Sequence, residues 1–133
     1  MIESLTEEIC RDFLQFYKKN LKIRKMPTFS FVSDEDNAQN PLGRTGAYDP
    51  VNMHITIFIT GRHAKDILRS VGHELYHHHQ NENGLMDSNE STPEGYAQNN
   101  QHLRELELDA YKYGGGILLR DWEDGYKARM KWV

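Results

Sequence analysis

The sequence holds a single cysteine, Cys10, among 133 residues. That excludes an intramolecular disulfide framework and a cysteine-rich zinc site, and it points to a reducing compartment. An excess of positive charge is lacking as well. The formal net charge is -4 with both signs interspersed, so no basic face marks a nucleic-acid partner or an anionic membrane. No run approaches the ~20 apolar residues of a transmembrane helix. The opening MIESLTEEIC is acidic and amphipathic, unlike the basic start and apolar core of a secretory signal. Internal repeats and low-complexity tracts are absent too. The expectation is a cytoplasmic protein without membrane segments, forming one domain over 1–133, of a size that buries about two-thirds of its unfolded surface.

What is present reads as helix, three strands, helix, helix. Ser4 to Glu7 form a capping-box pattern, and Leu5, Ile9, Phe13 and Phe16 recur at helical spacing, which predicts a helix over 5–20. TFSFV after Pro27 alternates as a strand does, SDEDNAQNPLG reads as a polar loop, and RTGAY is a short second strand. MHITIFIT places Met53, Ile55, Ile57 and Ile59 on one face, the strongest strand signal in the chain. From about Arg62 to Gln80 the period becomes helical, with Thr60 as its expected N-cap. A polar stretch over 81–100 follows as a candidate lid. A last helix begins near Ala97 and is expected to loosen or end at Gly114, Gly115 and Gly116. A short tail helix then carries Trp122 and Trp132 as anchors. The class is α+β with a small, mainly antiparallel sheet of about three strands.

The chemistry lies in SVGHELYHHHQ, which contains HExxH as His73, Glu74, Leu75, Tyr76 and His77. Four residues are slightly more than one helical turn, so both imidazoles leave one face and can bind a single Zn²⁺ at ~2.0–2.1 Å. Glu74 lies about 100° around the helix, from where a carboxylate reaches a water beside the metal. An HExxH arises by chance in roughly 3 of 100 chains of this composition, and its place in a helix directly after a strand adds the context the motif needs. Asp66, Ser70, His73, His77 and Gln80 fall opposite the apolar stripe. His78 turns toward the core and His79 toward the flank, and neither is assigned chemistry.

Hydrolytic zinc needs a third protein ligand and one open position. The later HLRELELDAYKYGGG offers His102, Glu105, Glu107 and Asp109. Glu107 shares an arc with Leu103, Ala110, Tyr111, Gly114 and Leu118. A lone carboxylate there is costly unless a cation neutralises it. Glu105 shares the opposite side with Gln101, His102 and Lys112, yet with Asp109 it forms an ExxxD pair, in which an acid follows a ligand glutamate to orient a histidine. Glu107 is the favoured third ligand and Glu105 the alternative. An acidic solvated helix face describes Glu105 and Asp109 better than it does Glu107.

With HELYH followed by RELELDAYKYG, the chain resembles gluzincin-type zinc metallopeptidases, above all their smallest single-domain members, over about residues 1–120. The resemblance implies a minimal zincin fold in which a sheet edge borders the cleft and a second helix supplies a glutamate. Glu107 with the small Ala110 three positions later is similar to the compact relatives, although Tyr111 stands where an Asn or Asp is frequent. Anchored on the acid, the same resemblance selects Glu105 with Asp109. The lead-in TGAYDPVNMHITIFI is also similar to small peptidases of phages and mobile elements.

The expectation is a zinc metallopeptidase acting on a peptide or protein substrate, with His73, His77 and Glu107 on the metal and Glu74 as the general base. Tyr96, Tyr76 or Tyr48 would stabilise the oxyanion. Activity is expected to fall below about pH 6, because the histidines must be neutral to bind metal. Substrate backbone is expected to pair along an edge strand such as MHITIFIT. The alternative is a catalytically silent zincin-fold protein that binds metal and acts through a protein partner.

Overall fold

In the computed structural model, which describes residues 5–40, 43–86 and 101–130, Thr6 rather than Ser4 caps the first helix. Its hydroxyl accepts the Ile9 N–H at 3.1 Å. Helix α1 (Glu7–Leu21) carries acids in its first turn and lysines in its last, and Lys22 ends it in the left-handed conformation. Phe13, Tyr17 and Leu21 are buried along one stripe. Ser4, Tyr96, Trp132 and the candidate lid beyond Met86 lie outside the described residues.

Strands β1 (Thr28–Val32), β2 (Gly46–Asp49) and β3 (His54–Phe58) form a sheet in the order β1-β3-β2. A five-residue helix, α2 (Glu35–Gln39), interrupts what the sequence suggested was only loop, with the Asp34 side chain as its cap. The α+β class and the three strands hold, and the sheet is mixed: β2 pairs antiparallel with β3, and β1 pairs parallel with it. The chain travels from β1 through α2 and β2 before β3 inserts between the two earlier strands, a long-range choice that local alternation does not encode.

One expectation is corrected here. MHITIFIT contains the central strand, with both sides already hydrogen-bonded, so it has no free edge for a substrate; among the described strands the edges are β1 and β2. The face assignment holds for Ile55 and Ile57, both fully buried, whereas Met53 has φ 51° and belongs to the turn. That turn is held by Asp49, whose carboxylate accepts the N–H groups of Val51 and Asn52.

Helix α3 (Ala64–Glu82) lies against the inner face of the sheet. Its N-cap is His63, without a side-chain bond. The expected cap, Thr60, instead accepts the Asp34 N–H. Ile67, Leu68, Val71 and Leu75 fill the core, but Ser70, Glu74, His77 and Gln80 are buried as well, so the helix is enclosed on both sides.

The second side is covered by one continuous helical run: α4 (Gln101–Asp109), a π-helical segment (Ala110–Ile117) and α5 (Leu118–Met130). Of the two outcomes expected at the three glycines, the helix loosens there and does not end. The wider π turn, in which the Leu118 N–H reaches back five residues to the Tyr113 carbonyl, carries the chain through. Gly72 of α3 and Gly114 meet backbone to backbone: a Cβ on Gly72 would lie 2.5 Å from the Gly114 carbonyl oxygen. Tyr17 donates to that same carbonyl at 2.6 Å, so α1, α3 and the π segment join at one buried point. In α5, Trp122 is buried edge-on against Phe13 at 5.1 Å and donates to Asp12.

Glu82 ties the end of α3 to the segment before β1 by accepting the N–H groups of Arg24 at 3.0 Å and Lys25 at 2.9 Å. Burial pushes its carboxyl up, but the two backbone donors, with His78 and Arg24 nearby, hold it below the usual 4.5. The folded value is the lower one, so this carboxylate stabilises the fold above pH 4.5 and loses that contribution as pH falls through the folded value. Glu82→Gln is expected to cost about 1–2 kcal/mol at pH 7. The gap from wild type should close on acidification below pH 4.5, read by thermal unfolding. An equal gap at pH 7 and pH 3 would remove the charge from the explanation.

Candidate metal centre

His73 and His77 leave α3 one turn apart, their rings 4.9 Å from each other and nearly perpendicular. Both point their Nε2 atoms across to α4. His73 Nε2 lies 2.7 Å from Glu107 Oε1, and His77 Nε2 lies 3.1 Å from Oε2. The side chains of His77, His73 and Glu107 are 0%, 12% and 26% exposed, so these contacts form in a sheltered cleft. His73, Glu74 and His77 form a group whose ligand atoms lie within 4.8 Å of one another and could hold a metal ion.

The tautomer of His77 follows from its neighbours. Gln80 donates its amide N–H to the Leu106 carbonyl at 2.9 Å, which turns its oxygen toward His77 Nδ1 at 2.8 Å. An amide oxygen can only accept, so Nδ1 carries the proton and a neutral His77 offers its lone pair at Nε2. His73 differs: among the described residues, nothing hydrogen-bonds its buried Nδ1. The ring of Tyr111 packs against it instead, at 4.3 Å between centroids.

Glu74 is buried, and among the described residues its Oε1 has no hydrogen-bond partner. The bare backbone of Gly46, at the start of β2, covers it: a Cβ there would meet Glu74 Oε2 at 3.2 Å. Burial pushes the Glu74 carboxyl up. The nearby His77 and His73 oppose that rise, and Glu107 adds to it. For Glu107, burial also acts upward, but the hydrogen bonds from His73 and His77 and their charge bring it down to about 2. Burial lowers His77, and this is outweighed by Glu107, Glu74 and Gln80, which together hold it above the usual 6.5.

Of the acids weighed for the second helix, the structure brings Glu107 to the imidazoles. Glu105 is exposed and accepts from Gln101 at 3.4 Å. His102 is exposed and bonds the Leu85 carbonyl, and Asp109 faces solvent. The separation follows from packing: Leu103 and Leu106 are buried, and the side of α4 they define carries Glu107 toward α3.

Tyr48 is buried with its hydroxyl 2.7 Å from His78 Nδ1, while Tyr76 packs on Tyr113. His78, set aside as carrying no chemistry, is a structural residue, with its Nε2 on the Lys25 carbonyl. Tyr111, which the sequence placed on the Glu107 side of the helix four residues later, was assigned no role there.

Among the described residues no helix is long and apolar enough to cross a membrane. No protein-family model, no curated protein and no solved structure matches the chain.

Proposed function

We propose that the chain is a zinc-dependent metallopeptidase of the gluzincin type, with His73, His77 and Glu107 as the metal ligands and Glu74 as the general base. One observation carries the reading. Two imidazole nitrogens one turn apart converge on a single carboxylate, and beside them stands a buried carboxyl, one oxygen of which has no hydrogen-bond partner among the described residues. A solvated histidine-rich face would leave these groups in water; here they are enclosed.

The donor set fits zinc in type and spacing. Two imidazoles and one carboxylate are a hydrolytic ligand set with one position open. Tetrahedral bonds of ~2.0–2.1 Å separate neighbouring ligand atoms by roughly 3.3 Å. The contacts of 2.7 and 3.1 Å need open by only a few tenths of an ångström. Gln80 supplies the outer hydrogen bond that orients a ligand histidine.

When bound, zinc supplies Lewis acidity toward a peptide carbonyl and a water molecule. The residues do the rest. Glu74 takes a proton from the attacking water as the new C–O bond forms, then returns it to the departing nitrogen as the C–N bond breaks. Its raised carboxyl makes it a better proton acceptor than a solvated glutamate, and the charge of a bound cation acts in the opposite direction. Peptide or protein is the substrate class. The gluzincin resemblance rests on HELYH and RELELDAYKYG.

The test is zinc stoichiometry and affinity, with turnover of an unstructured protein. Wild type is expected to bind one zinc and cleave, and chelation should abolish cleavage. Glu107→Gln should weaken zinc by at least about 100-fold, because loss of a ligand exceeds the ~10–100-fold typical of outer-shell changes, and Glu105→Gln should leave it unchanged. Proton and metal compete for His77 Nε2, and His77 holds its proton above pH 6.5 in the metal-free protein. Zinc affinity should therefore begin to decline above pH 6.5 on acidification, earlier than for an unperturbed histidine. Wild type that binds zinc but cleaves nothing across a broad peptide library would favour a metal-binding protein that works through a partner. Absence of zinc at neutral pH would sink the metal reading.

A further inference from the structure

We infer that Tyr111 is the positioning residue for His73, its aromatic ring orienting this imidazole as the Gln80 amide orients His77. The inference rests on His73 being a metal ligand. Three observations meet here. His77 is held from behind by a hydrogen bond to Nδ1, whereas His73 has no such bond among the described residues. The face of His73 is covered by the Tyr111 ring at 4.3 Å and 54°. And Tyr111 is 65% exposed, so its ring contributes little to the core.

An imidazole held at Nε2 alone is less restrained about χ2 than one bonded at both nitrogens, and rotation away from the cleft removes Nε2 from Glu107. The Tyr111 ring, tilted by 54° against one side of the imidazole, blocks that rotation and adds an aromatic contact. Tyr111 lies four residues beyond Glu107, so the turn that carries the carboxylate to Nε2 also carries the ring to the imidazole. Tyr111 is the second residue of the π segment, where its ring lies beside His73 while Gly114 passes close to the same residue, a Cβ there lying 3.2 Å from the His73 Cα. The hydroxyl plays no part in this role.

Tyr111→Phe and Tyr111→Leu separate ring from hydroxyl and from bulk. Three quantities are measured on the full chain: the His73 imidazole proton resonances without metal, the zinc dissociation constant by chelator competition, and the metal-free unfolding temperature. Tyr111→Phe should keep the ring-current shift on His73 and bind zinc like wild type. Tyr111→Leu should lose that shift and bind zinc about tenfold more weakly, at the low end for removal of an outer-shell partner, with little change in unfolding temperature. Wild-type zinc affinity in Tyr111→Leu, or an equal loss in Tyr111→Phe, would overturn the inference. If wild type binds no zinc, the metallopeptidase reading fails, and the metal-free resonances still decide whether the ring orients His73.

Discussion

Glu74→Gln is expected to lower turnover of an unstructured protein by about 10²–10⁴-fold, the span of general acid–base catalysis, while the variant still binds one zinc. The amide keeps the shape of the side chain but cannot accept the proton of the attacking water. His73, His77 and Glu107 stay in place, because none of them hydrogen-bonds Glu74. A second readout makes the result specific. A buried carboxyl whose folded pKa is raised destabilises the fold once pH exceeds its unfolded value of 4.5, and this penalty is absent below that value. Metal-free Glu74→Gln should therefore melt higher than wild type at pH 7, and the difference should vanish toward pH 4. A variant that gains stability and loses turnover marks a residue kept for chemistry. Turnover at the wild-type rate would end the assignment of Glu74 as base.

The second large effect is at Gly114. Adding one methyl group would place a Cβ 2.6 Å from the Gly72 carbonyl oxygen and 2.6 Å from the Tyr76 Cβ. Neither neighbour is the end of a flexible side chain, so the π segment must move away from α3. Gly114→Ala is expected to cost about 3 kcal/mol, lowering Tm by about 10 °C. Because this contact sets the distance between α3 and the helix carrying Glu107, zinc affinity should fall with it. Gly125→Ala is the control: a Cβ there meets only the Arg129 guanidinium, at 3.7 Å. In the regular helix α5 the same substitution should stabilise by about 0.5–1 kcal/mol. If both variants melt alike, the backbone approach of Gly72 and Gly114 is not what spaces the two helices.

Reading by local pattern worked where one element decides the outcome. Alternation in TFSFV and HITIF marks β1 and β3, and the stripe from Ile67 to Leu75 marks α3. It failed where an element's partner decides. Thr60 has the chemistry of an N-cap but is taken by Asp34, and His63 caps the helix without a side-chain bond. Three consecutive glycines ordinarily stop a helix, yet burial of Gly114 and Gly115 and the Tyr17 bond to the Gly114 carbonyl offset their flexibility.

The sequence by itself determined that His73 and His77 share a face and that Glu74 stands beside them, because a spacing of four in a helix is a local property of the backbone. It also narrowed the acids of the second helix to Glu107 and Glu105. Only the tertiary structure decided that Glu107 meets both imidazoles, that β3 is central, and that Tyr111 covers His73. The rotation of α4 about its own axis, the order of strands and the path through the glycines are set by burial between segments far apart in the chain. No short window of residues contains both sides of those contacts.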